Sequence, residues 1–166
     1  MRQFFFNFWI FFCLISCSNI EFVLEEKDDF NILKNKTTTH VSGWENSLLK
    51  EVLFLKLGVV SNGEFILTAE ADEKQTKRSI NENQVAQKID YKISVNYKLV
   101  DTSNRCPDIQ NTQKSSFSVT PKSSGYNFAS DVLLQNLLEE SVVNNVTNFL
   151  AFANETIKAY GCIDED

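Results

Sequence analysis

Over residues 90–100 the chain alternates without a break. Tyr91, Ile93, Val95, Tyr97 and Leu99 fall on one side, and Lys92, Ser94, Asn96 and Lys98 on the other. An apolar period of two held this long is the mark of a β-strand with one dry and one wet face. The sheet that contains it must be covered on one side only, and the rest of the chain has to supply the cover.

Two segments have the right period for that cover. Ser42 stands where a helix N-cap is wanted, Leu48, Leu49, Val52, Leu53 and Leu57 follow near helical spacing, and Gly58 supplies a stop, which predicts a helix over residues 44–57. Leu134, Leu138, Val142, Val146, Phe149, Ala153 and Ile157 recur every three or four residues, which predicts a second helix over about 129–160, buried along one side for its whole length.

Further strands are read around these. Phe30, Ile32 and a Thr run suggest a first strand over 30–39, and Asn62-Gly63 marks a turn. Residues 64–80 begin as a half-buried strand, with Phe65, Leu67 and Ala69 on one side, and continue into the basic Thr76-Lys77-Arg78. The polar Asn81-Glu82-Asn83-Gln84 is either a plain connection or the end of a long hairpin. Residues 101–111, with Arg105, Cys106 and Pro107, read as a loop, and 115–120, with Phe117 and Val119, as the last strand. The order is β-α-β-β-β-α. It predicts one α+β domain over 30–166, a two-layer sandwich with two helices packed on one face of a roughly four-stranded mixed or antiparallel sheet.

The N-terminal region has a different character. Arg2 precedes a nearly unbroken apolar block over 4–15, the pattern of an export signal. The block is shorter than the roughly 20 residues of a spanning helix. At its end, Leu14-Ile15-Ser16-Cys17 resembles a bacterial lipobox. On that reading residues 1–16 are removed, Cys17 carries a diacylglycerol and an N-acyl chain, and 17–29 form a lipidated tether. Each buried methylene adds about 0.8 kcal/mol of membrane affinity, so such a group holds a domain at a membrane. The other reading is ordinary secretion with cleavage after Ser18.

Charge and cysteines narrow the function. The chain carries a formal charge of −6, and loss of Arg2 with the signal makes the remainder more acidic, which argues against a nucleic-acid partner. Cys106 and Cys162 remain in an exported chain, as a disulfide or as free thiols. At 1.5 Å per residue the second helix is about 45 Å long, enough to return Cys162 to the Cys106 loop, which favours the bridge. His40 is the only histidine, and there is no paired-ligand motif and no glycine-rich phosphate loop. Glu139-Glu140 and Asp164-Glu165-Asp166 read as solvated acids. Catalysis, a metal and a dissociable cofactor are therefore not expected. Binding is the remaining class: Lys74, Lys77, Arg78, Lys88, Lys92 and Lys98 gather in the second and third strands and their connection. Lys92 and Lys98 share the wet face with Ser94 and Asn96, suited to a phosphate by charge-assisted hydrogen bonds. The competing reading is a solvated face whose lysines discourage edge pairing.

Taken in order, the lipobox, the first helix, Phe65-Ile66-Leu67-Thr68, Thr76-Lys77-Arg78, the run from Tyr91 through Leu99-Val100-Asp101, and Gly125-Tyr126-Asn127-Phe128-Ala129-Ser130 before a long helix resemble the LPS-assembly lipoprotein family LptE in its alphaproteobacterial form. The resemblance implies a non-enzymatic lipoprotein anchored in the outer membrane on its periplasmic face. It would plug and help assemble an LptD-type β-barrel and bind lipopolysaccharide on its way to the cell surface, with Lys77, Arg78, Lys92 and Lys98 as the lipopolysaccharide contacts. Two features depart from the family: Ser18-Asn19-Ile20 follows the lipid cysteine where a Gly-Phe and a proline-containing aromatic motif often stand, and a Cys106–Cys162 bridge is not expected across it. An alternative is an auxiliary lipoprotein of an ABC-type lipid transport system. A secreted glycoprotein is a third reading, on the acceptor triplets Asn35-Lys36-Thr37, Asn145-Val146-Thr147 and Asn154-Glu155-Thr156.

Overall fold

In the computed structural model, which describes residues 31–80, 86–120 and 128–162, the alternating stretch is the middle of a 16-residue strand in the interior of the sheet. The expected signal, Cys17, the tether, the 81–84 connection and the acidic tail lie outside the described residues. The elements run β1 (Thr37–Gly43), α1 (Asn46–Leu57), β2 (Phe65–Ile80), β3 (Ala86–Asp101), β4 (Ile109–Val119) and α2 (Phe128–Tyr160). The sheet has the order β1-β2-β3-β4, with β1 parallel to β2 and the other pairs antiparallel. Both helices pack on one face, α1 over β1 and β2 and α2 over β4 and β3, and they touch each other. This is the α+β two-layer sandwich with a mixed sheet that the sequence predicts.

Register follows from the dry face. Phe65, Leu67, Ala69 and Ala71 of β2 lie opposite Asp101, Leu99, Tyr97 and Val95 of β3, so one row of the sheet after another turns its apolar side to the helices. Leu49, Val52, Leu53 and Leu57 of α1 and Val142, Val146, Phe149, Leu150, Ala153 and Ile157 of α2 close the core. Ala69 and Ala71 are small where the chain crowds. Gly43, at φ +91°, runs so close to Ala71 that a Cβ there would collide with its carbonyl oxygen. Tyr97 stacks on Phe149 with ring centroids 4.2 Å apart.

Several boundaries differ from expectation. The first strand begins at Thr37, not near Phe30, because residues 31–36 are spent on turns. The Asn31 side chain accepts from the Leu33 N–H at 3.2 Å, Lys36 N–H donates to the Leu33 carbonyl at 3.2 Å, and Asn35 takes a left-handed φ of 59°. Ser42 is not an N-cap. It sits in β1 opposite Glu70, and α1 starts after Glu45, which is itself left-handed and makes no side-chain cap. Gly58 does end α1, its N–H donating to the Phe54 carbonyl at 2.9 Å. The last strand starts at Ile109, six residues before the expected place, and α2 is buried on one side only from Ser141 onward: Leu134 and Leu138 are half-buried, and Leu133 is 51% exposed.

Candidate anion-binding face

The face of the sheet turned away from the helices is set by parity. The even-numbered residues Ile66 to Arg78 of β2, Lys88 to Val100 of β3 and Gln110 to Ser118 of β4 point there, so each rung across the strands can be read from the register. Lys74 stands opposite Lys92, with Ser116 beyond it. Thr76 stands opposite Asp90, with Ser118 beyond it. Arg78 stands opposite Lys88. These residues, bordered by Tyr91 and Phe117, line a shallow depression of about 440 Å³.

Inside it the charge is lopsided. Lys74, Arg78, Lys88 and Lys92 are exposed, and among the described residues Asp90 is the one acid lining the depression. Asp90 is already engaged: Ser118 Oγ donates to it at 2.7 Å, and the Arg78 Nε forms an ion pair with its other oxygen. Among the described residues Lys74, Lys88 and Lys92 form no ion pair. Like charges directly opposite on neighbouring strands repel. Two such pairs therefore leave a positive field that an anion would relieve, in a chain whose overall sign is negative.

The four cations that the family resemblance implies as contacts are not together. Arg78 and Lys92 belong to this depression. Lys98 shares the wet face but lies six residues along β3 from Lys92, about 20 Å away at the rise of a strand, and is paired with Asp108 at 2.9 Å. Lys77, odd-numbered, lies in the opposite row, across from Ile89, on the side of the sheet that carries the helices. The residues that complete the cluster are Lys74 and Lys88, with Asp90, held by Ser118, as its one acid among the described residues. The signal for them was the hairpin register: once β2 and β3 are centred between Ile80 and Ala86, 74 must meet 92 and 78 must meet 88.

Other sequence candidates fall outside it. His40 is exposed on β1 opposite Thr68, and Glu139 and Glu140 are exposed on α2. No group of three or more His, Cys, Asp or Glu side chains gathers among the described residues to hold a metal ion. Cys106, in the β3–β4 loop, is bonded to Cys162 just beyond α2, with Cα atoms 5.5 Å apart. The loop is held for this by Asp101, buried at the end of β3, whose carboxylate accepts from Ser103 N–H and Oγ–H at 2.9 and 2.7 Å, Arg105 N–H at 2.9 Å and Cys106 N–H at 3.1 Å. Tyr91, on the dry side beneath the depression, stacks on Phe117 at 5.1 Å; burial, and secondarily the charge of Glu73, push its hydroxyl pKa upward.

No protein-family model and no curated protein sequence matches the chain. Among solved structures, a protein of Caulobacter crescentus assigned to the lipoproteins superposes with a TM-score of 0.58 at 17% identity, covering 81% of this chain and 98% of its own. Rare lipoprotein B of Shewanella oneidensis aligns at a TM-score of 0.46 and 11% identity over 74% of this chain and 96% of its own. A lipoprotein B of Nitrosomonas europaea aligns at 0.45 and 16% over 76% and 92%. The likeness to the Caulobacter protein is one of fold, and it spans that protein almost end to end: this chain shares its two-layer α+β fold.

Proposed function

We propose that this chain is a non-enzymatic outer-membrane lipoprotein of the LptE type. It is acylated at Cys17 and held on the periplasmic face, and it acts as plug and assembly partner of an LptD-type β-barrel while binding lipopolysaccharide in transit. The observation that carries the reading is the basic depression on the uncovered sheet face. Lys74, Arg78, Lys88 and Lys92 converge there in an otherwise acidic chain, on the side that neither helix occupies. Phosphorylated sugar-lipid supplies the anion that such a cluster lacks, through charge-assisted hydrogen bonds. The lipobox and the lipoprotein fold support the membrane location.

The test is a mild-detergent pull-down of the tagged protein from its native envelope, with mass spectrometry of what accompanies it. A large outer-membrane barrel recovered near one-to-one is the expected result. Recovery of a tunnel protein or of inner-membrane transporter parts without a barrel would overturn the translocon role in favour of an auxiliary lipoprotein of an ABC-type lipid transport system. In parallel, replacing all four cations by Ser is expected to weaken lipopolysaccharide binding at least tenfold with an unchanged circular dichroism spectrum; undiminished binding would remove this face from the reading.

A further inference from the structure

The depression is divided into two parts, and the division restricts what can occupy it. Its cations come as two cross-strand pairs, Lys74 with Lys92 and Arg78 with Lys88, and between the pairs lies the rung of Thr76 and Asp90. Four residues separate the pairs along each strand, about 13 Å at a strand rise of about 3.3 Å per residue. Asp90 is held in the middle by Ser118 and Arg78, so a carboxylate stands on the line joining the two basic pairs. An anion centred on that rung meets the carboxylate, whereas one over Lys74 and Lys92 meets two unpaired cations, with Asp72 of the next rung beside them, and one over Lys88 and Arg78 meets one unpaired cation and one already shared with Asp90.

From this we infer that the face recognises a head group bearing two phosphoryl groups about 13 Å apart, one over Lys74 and Lys92 with Ser116 beside them, the other over Arg78 and Lys88. The inference rests on the lipid-binding reading above and adds to it a requirement for two phosphates at a set separation. Asp90 is a positioning residue on this account: it orients Arg78 by their ion pair and keeps a single phosphate from settling between the subsites. The depression is shallow and its lining side chains are mostly charged or hydroxylic, which suits a hydrated head group better than acyl chains.

The test uses the full chain in neutral detergent micelles and two probes, lipid A with both phosphates and lipid A with one. The expected result is that the two-phosphate form binds at least thirtyfold more tightly. K74S/K92S should remove that preference while lowering affinity for the one-phosphate form no more than about threefold, because the second subsite remains. D90N should raise affinity for the one-phosphate form and so narrow the preference. Free phosphate at millimolar concentration, the other source of this chemistry, should displace neither probe beyond the effect of chloride at equal ionic strength. Equal binding of both forms, lowered equally by K74S/K92S, would overturn the two-subsite inference and leave lipid binding at this face standing. Displacement by free phosphate would also overturn it, making the face a general anion site. Failure of both forms to bind would overturn the lipid-binding reading itself, and this inference with it. Unchanged circular dichroism of each variant separates lost binding from lost folding.

Discussion

Asp101 shows how much one buried side chain can organise. Burial by itself would push its pKa up, but the hydrogen bonds from Ser103, Arg105 and Cys106 outweigh it, and the carboxyl is held below its ordinary value. A carboxyl more acidic in the folded state than in the unfolded chain adds stability that is fully present above the unfolded value, about 3.9, and is lost as pH falls through the lower folded value. Asn at this position presents an amide to a ring of donors and cannot satisfy them all. D101N is therefore expected to lose about 2–3 kcal/mol at pH 7 and to show a flatter acid limb than the parent. Urea titrations followed by Trp44 fluorescence at neutral and acid pH measure both; a variant as stable as the parent would show that the loop does not depend on the charge. Nothing in the sequence marks this role, because the three backbone donors come from residues that only the loop's own conformation brings round the carboxylate. Tyr97 is the contrasting case: its place in the alternation announced a buried ring, and burial duly raises its hydroxyl pKa well above the ordinary value.

Among the elements, α2 divides into two stretches of different importance. From Ser141 the stripe of Val142, Val146, Phe149, Ala153 and Ile157 is buried, and Phe149 is sealed against Tyr97; before that, Val132 and Leu133 remain exposed. F149A is expected to cost about 3–5 kcal/mol, and L133A less than about 0.5 kcal/mol. Thermal or urea unfolding of the two variants side by side checks this. Equal effects would mean that the amino-terminal half of α2 contributes to the core after all. The even apolar spacing of the helix gave no hint of the difference, since periodicity reports which side would be buried and not how far the neighbouring layer extends. The sequence predicts too short a β4 for a related cause. Between Ile109 and Phe117 its covered side is made of Asn111, Gln113 and Ser115, and Ser115 meets Ser141 and Asn145 of α2 through hydrogen bonds. A polar interface of this kind leaves no apolar alternation to be read. β1 was misplaced because β-branched content marks a strand without saying where pairing with β2 begins.

At the scale of the whole molecule, the bond between Cys106 and Cys162 closes a loop across 56 residues of sequence, taking in β4 and α2. The chain-entropy model assigns such a closure about 4 kcal/mol. C106A/C162A is expected to lose roughly that amount in a urea titration while keeping the parent's circular dichroism, and the reduced parent should match it. No loss in either would show that the packed helix alone holds this end of the fold. The two-layer α+β class, the order of the elements, the wet and dry faces of β3 and the acidic balance were determined by the sequence itself, because period, turn residues and charge are properties of neighbouring residues. The basic depression was decided by tertiary structure. Lys74 and Lys92 are separated by a hairpin, as are Arg78 and Lys88, and no pattern within one strand states which residue of the next will stand opposite. A shift of register by one residue would turn one strand's cations to the other face. That is why Lys77, adjacent in sequence to Arg78, lies across the sheet from the site, while Lys88, ten residues away, completes it.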